Sequence, residues 1–146
     1  MEIQELKASD LDKLLDLYPH MHAVDDPLPT RNVIEEVWHT IQDNSHLKYF
    51  GVFVNRELVS SCTLSIIPNL TRGCRPYGLI ENVVTHGEYR RRGYASNILK
   101  HALSYAWSEG CYKVMLLTGR KTEEIYKFYE SVGFDRDAKQ AFLAKP

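Results

Sequence analysis

Arg90-Arg91-Arg92-Gly93-Tyr94-Ala95 lies between an apolar run, Leu79 to Thr85, and a helical pattern running from Ser96 to Glu109. The first run has the length and composition of a strand. Ala95, Ile98, Leu99, Ala102, Leu103 and Ala106 recur at helical spacing as a core face, and Gly110 stops the pattern. A strand that ends in a basic glycine turn and leads into a helix is a place to hold an anion. The first helical turn leaves backbone N–H groups without partners, and the aligned peptide dipoles make that end partly positive. Gly93, without a Cβ, permits either close approach of a phosphate or a positive φ, and the small Ala95 keeps the space open. The three arginines clamp phosphate oxygens or only raise the local potential. A solvated basic turn on a surface helix carries the same residues, so their neighbours must decide.

Two familiar phosphate sites are absent: no G-x-x-x-x-G-K-[ST] loop occurs, and no G-x-G-x-x-G follows a strand. Net charge is −1, the sequence pI is about 6.6, and no second basic face with interleaved aromatics accompanies the arginines, which argues against nucleic acid. Charge is nevertheless divided. Ten acidic residues face three basic ones through His46, and nine face fifteen beyond it. That division suits a polyanionic cofactor on the C-terminal part and an amine nearer the N-terminal part; solvation of two acidic N-terminal helices produces the same count.

With 146 residues, 44% of them hydrophobic and 25% charged, the chain is of single-domain size, able to bury roughly two-thirds of its unfolded surface. The Met1-Glu2-Ile3-Gln4-Glu5 start lacks the basic and apolar regions of a signal peptide. No apolar run reaches about 18 residues, so no membrane partner is expected and a cytoplasmic location is the default. Cys62, Cys74 and Cys111 are odd in number and widely spaced, and read as buried or half-buried free thiols. His20-Met21-His22 lacks further ligands at metal-binding spacing, so no metal is expected.

Upstream, Glu2–Leu6 reads as a short strand. Ser9-Asp10 caps a helix through Leu11, Leu14, Leu15 and Tyr18 to Pro19, and Thr30 caps a second one with Val33, Ile34, Val37, Trp38 and Ile41 on one face. Tyr49–Val54 and Leu58–Ile67 predict an antiparallel hairpin turning at Asn55-Arg56-Glu57, and Pro68–Pro76 is a polar loop. Tyr77–Thr85 is the strand before the arginines and Lys113–Thr118 another. Thr122 caps a last helix that Gly133 ends, and Phe142-Leu143 falls in a closing strand. The order predicts one domain over 1–146, an α/β or α+β layered sheet with helices on both faces.

The R-x-x-G-x-A turn after a hydrophobic strand, followed by Tyr129-Glu130-Ser131-Val132-Gly133-Phe134, resembles the GCN5-related N-acetyltransferase (GNAT) family. The likeness is sharpest from Ile80 to Phe134. Ile80-Glu81-Asn82 and Gly110-Cys111-Tyr112-Lys113 look closest to small-molecule acetyltransferases such as glucosamine-phosphate N-acetyltransferases. The resemblance implies a mostly antiparallel sheet splayed open at one parallel strand pair, at Leu79 and Val114, with acetyl-CoA in the cleft as cosubstrate. It implies pantetheine pairing with the backbone of Val83, Val84 and Thr85. It also places the pyrophosphate on Arg90, Arg91, Arg92, Gly93, Tyr94, Ala95 and Ser96, chiefly through backbone N–H groups, and packs Tyr126 along the cofactor.

Acetyl transfer to an amine needs a neutral nucleophile, donors for developing negative charge and an acid for the departing thiolate. In the family the tyrosine at the position of Tyr129 is that acid. By spacing alone Tyr129 is equally one more packed aromatic beside Ile125, Phe128 and Val132. Glu81 interrupts an apolar strand, which is costly unless it faces a cleft. The resemblance makes it the general base; bonding to a neighbouring backbone group or arginine is the competing reading, and His86 is a weaker alternative base. Many family members carry Asn where this chain has Thr122, so Arg120 or Lys121 stands in at the cofactor or is merely solvated.

The implied acceptor is a small-molecule primary amine. Asp25-Asp26 favours a cation, whereas Arg72 and Arg75 favour an acceptor that also bears phosphate or carboxylate. A protein lysine or N-terminal acetyltransferase and a catalytically silent CoA sensor are the alternatives, and a homodimer is the family's habit.

Overall fold

A computed structural model describes residues 1–146 and shows why the pattern reads as it does. The strands are β1 (Glu2–Glu5), β2 (Leu47–Val54), β3 (Glu57–Ile67), β4 (Tyr77–Thr85) and β5 (Val114–Leu116). The helices are α1 (Leu11–Leu17), α2 (Arg31–Asp43), the one-turn α3 (Thr71–Cys74), α4 (Tyr94–Ser108) and α5 (Glu123–Val132). The five strands form one sheet in sequence order, antiparallel throughout except for the parallel β4–β5 pair. Asn55 and Arg56, both left-handed at φ 51° and 69°, make the two-residue β2–β3 turn. Glu57 already belongs to the strand.

Each face of the sheet has its own core. Leu14, Leu17 and Trp38 of α1 and α2 pack with Phe53, Leu58 and Val84 on one side. Ile98, Leu99, Ala102 and Ala106 of α4 pack with Phe50, Cys62 and Ile80 on the other. The buried α4 residues are those whose spacing predicted a core face. On α2 the face is narrower than expected: Ile34, Trp38 and Ile41 reach the core, while Val33 and Val37 remain 43% and 54% exposed. Positions i, i+4 and i+7 complete the stripe a single helix can bury here, leaving 33 and 37 outside it. Burial pushes the Cys62 thiol up to about 12. Cys111 is also buried, but Cys74 is exposed on the polar loop.

The closing strand expected at Phe142-Leu143 does not form. Both residues are exposed, no regular element follows α5, and β5, shorter than Lys113–Thr118, pairs only with β4. Past Gly133 the chain is drawn back along α5, because Arg136 bonds the Glu123 and Glu130 carboxylates and lies 4.9 Å over the Tyr126 ring. No helix is long and apolar enough to cross a membrane.

Asp10 ties the N-terminal layer together. Its buried carboxylate accepts the Lys7 N–H and the Lys13 ammonium, both at 2.9 Å. Burial pushes its pKa up, but those two partners outweigh burial and hold it below the usual carboxylate value. Asp10→Ala is expected to cost about 1–3 kcal/mol in urea unfolding at pH 7. A depressed folded pKa contributes stability above the unfolded value, about 3.9, and loses it as pH falls through the folded one. The gap between wild type and Asp10→Asn should therefore shrink below about pH 4; a gap that widens there would contradict the assignment.

Candidate active site

β4 pairs with β3 as far as Thr85 but with β5 only over Gly78–Ile80. From Glu81 onward one edge of β4 is free of strand partners, which is the splay. β4 also carries one residue more than β3 between Glu81 and Val84, opposite Thr63 and Ser61, and Asn82 takes φ 52° there. Such a bulge re-aims side chains. Glu81 and Asn82 are both exposed within an otherwise apolar strand, so the carboxylate stays solvated at the point where the sheet opens. Val83 is half-buried and Val84 buried, which leaves their backbone as the part available at the free edge.

The turn after β4 begins with a 3-10 turn, Gly87–Tyr89. Gly93 is the N-cap of α4 at φ 80°, and a Cβ there would meet nothing nearer than Asn97 Nδ2 at 4.0 Å. The positive φ is one that glycine adopts without strain, and no neighbouring protein atom crowds the position. Arg91 is left-handed too, at φ 60°. Left-handed residues alternating in a turn curl its backbone N–H groups toward one concavity, and no side chain caps α4. N–H groups so placed suit an anion.

The arginine side chains are largely committed elsewhere. Arg90 donates to the carbonyls of His20 at 2.7 Å and Thr85 at 3.4 Å. Arg92 lies 5.3 Å over the Tyr89 ring, whose hydroxyl donates to Glu57 at 2.7 Å. Tyr94, Ala95 and Ser96 are half-buried at the helix start, with Tyr94 packed toward Tyr89 and the core.

On α5 the spacing of Tyr129, Gly133 and Phe134 has a mechanical cause. Gly133 is left-handed at φ 113°, which lets the Phe134 N–H donate back to the Tyr129 carbonyl and sets the Phe134 ring edge-on to the Tyr129 ring at 6.2 Å. Phe128 contacts the same ring at 5.1 Å. The tyrosine is thus held in place by its own helix terminus. Burial raises its pKa, Arg120 opposes the rise, and the Glu81 carboxylate adds to it. Glu81 and Tyr129, from β4 and α5, are brought within electrostatic reach of each other. Tyr126 rests under Arg136, and Thr122 serves as helix cap, accepting the Ile125 N–H at 3.4 Å.

A row of residues runs laterally across the sheet to Glu81. Tyr49, Thr63 and Glu81 are lateral neighbours across β2, β3 and β4. Burial raises the Tyr18 phenol pKa, and so does nearby Tyr49. No spacing signal marks Tyr18 and Tyr49, because they join one core only once α1 lies on the sheet.

A family model described as Acetyltransferase (GNAT) family matches residues 11–134. Glucosamine 6-phosphate N-acetyltransferase of Trypanosoma brucei brucei is 31% identical over 98% of this chain and 95% of its own length. A solved protein of Agrobacterium tumefaciens str. C58 is 38% identical over the full length of both chains, with a TM-score of 0.93. Glucosamine-6-phosphate N-acetyltransferase of Arabidopsis thaliana, at 21% identity and covering 99% and 97% of the two chains, shares the fold with a TM-score of 0.85.

Proposed function

The chain belongs to the GNAT acetyltransferase family and is an N-acetyltransferase, and from that premise we propose that it acetylates a primary amine of a small molecule by direct attack with both substrates bound. One observation carries the reading: β4 parts from β5 after Ile80, which leaves the Glu81 carboxylate exposed there, and the half-buried Tyr129 phenol lies near enough to feel its charge. Acetyl-CoA, the acetyl donor of the family, supplies a thioester and a thiolate leaving group. Val83, Val84 and Thr85 offer it a strand edge, and the backbone from Arg91 to Ser96 offers it a helix start. Glu81 takes the proton from the attacking amine, directly or through water. Tyr129 holds a phenolic proton ready for the sulfur.

The small acceptor is supported by the activity named for the trypanosomal relative. Arg72 and Arg75 are exposed, as are Asp25 and Asp26, and the two charge types together suit an amine that also carries an anionic group. The test is thiol release from acetyl-CoA against glucosamine 6-phosphate, free amino acids, polyamines and a lysine peptide. A small amine should be accepted, and Glu81→Gln should lower kcat/KM for it by about 10²-fold or more. Turnover confined to the lysine peptide, or none above acetyl-CoA hydrolysis with any amine, would end this reading.

A further inference from the structure

α1 ends in a single 3-10 turn, Tyr18–His20, and the chain just beyond it is gripped from two directions. The Gly87 N–H donates to His20 Nδ1 at 3.2 Å, and Arg90 Nη2 donates to the His20 carbonyl at 2.7 Å. The His20 ring lies 4.0 Å from that of His86, whose own Nδ1 accepts the Glu88 N–H at 3.2 Å. One residue further, the Met21 carbonyl accepts from Arg120 Nη2 at 3.4 Å. Arg90 follows β4 and Arg120 follows β5. A segment held by both therefore bridges the gap where those strands separate.

We propose that His20 is a positioning residue that fastens segment 18–21 to the pyrophosphate loop, so that filling of the loop by acetyl-CoA sets the acceptor-side wall. The proposal rests on the acetyl-CoA reading of that loop. Gly87 and Arg90, the two donors to His20, sit just before the backbone that receives the anion, so ordering that backbone orders its grip on His20. Two residues earlier Tyr18 packs against the same core as Tyr49, which lies in the row that ends at Glu81. A shift at His20 is thereby carried to the place where the amine must dock. The contact requires an unprotonated Nδ1. Burial, then the facing His86 and Arg90, lower the His20 pKa, against an opposing contribution from Glu88.

The side chain is half-exposed, so several variants should fold. His20→Phe keeps a ring against His86 but has no acceptor for Gly87; His20→Ala has neither; the amide oxygen of His20→Asn can accept the N–H. Hydrogen exchange of peptides spanning residues 18–24 and 86–96 is measured with and without CoA. Without CoA, residues 18–24 should exchange up to about tenfold faster in His20→Phe and His20→Ala than in wild type, with His20→Asn restoring much of the difference. CoA should slow both peptides in wild type and only 86–96 in His20→Phe. Protection of 18–24 that survives in both His20→Phe and His20→Ala overturns the proposal, as does wild-type protection limited to 86–96. No protection at 86–96 sinks the acetyl-CoA reading of the loop, and this inference with it.

Discussion

Tyr129→Phe is expected to lower kcat/KM for the accepted amine by about 10²–10⁴-fold while leaving CoA affinity within about twofold, the size of effect removal of a positioned general acid has. The ring would remain between Phe128 and Phe134, so the variant removes a proton donor and little packing. Burial and the Glu81 carboxylate raise the phenol above its usual value of about 10. An acid must be protonated to act. Activity that depends on Tyr129 is therefore retained through neutral pH and lost only as pH rises through that elevated value. The wild-type profile should show no tyrosine-dependent alkaline fall below about pH 10, and the residual activity of Tyr129→Phe should lack the fall altogether. Equal rates for the two proteins across accepted amines would remove Tyr129 from the chemistry.

Gly93→Val is expected to weaken CoA binding by about tenfold or more, and Arg91→Ala by less than about threefold, as read by calorimetric titration. A residue with a Cβ held at φ 80° is strained by roughly 1–2 kcal/mol, more when β-branched, and 1.4 kcal/mol is a factor of ten in affinity. Relief of the strain would turn the first N–H groups of α4 away from the anion. Gly93→Ala is expected to lose less than Gly93→Val, since its Cβ meets no protein atom nearer than 4.0 Å and carries no branch to add strain at that φ. Arg91 is left-handed itself, yet Arg91→Ala would keep the backbone N–H, which is the group assigned to binding. Comparable losses in Gly93→Val and Arg91→Ala would make the guanidinium groups the main binders.

What could be read in advance follows the range of the interactions involved. The α4 core face, the Thr122 cap and the Gly133 terminus depend on residues within a turn or two of each other, and all were legible. The closing strand was not, because Phe142 and Leu143 carry strand-like composition while Arg136 redirects the chain onto Glu123 and Glu130 before they can pair. Val33 and Val37 belong to an apolar pattern on α2 that is wider than the surface the sheet offers it. Cys74 read as at least half-buried, yet it sits on a loop turn that nothing covers.

The candidate site divides the same way. The strand, the basic glycine turn, the helix after it and the Gly133 stop behind Tyr129 can be read from the chain alone, because each is specified by near neighbours in sequence. It takes the packed fold to part β4 from β5 after Ile80, to place a bulge at Asn82 beside an exposed Glu81, and to bind His20 to Gly87. Those outcomes depend on strand register and on contacts between segments far apart in sequence. No local periodicity encodes them, since they exist only after both faces of the sheet have been packed.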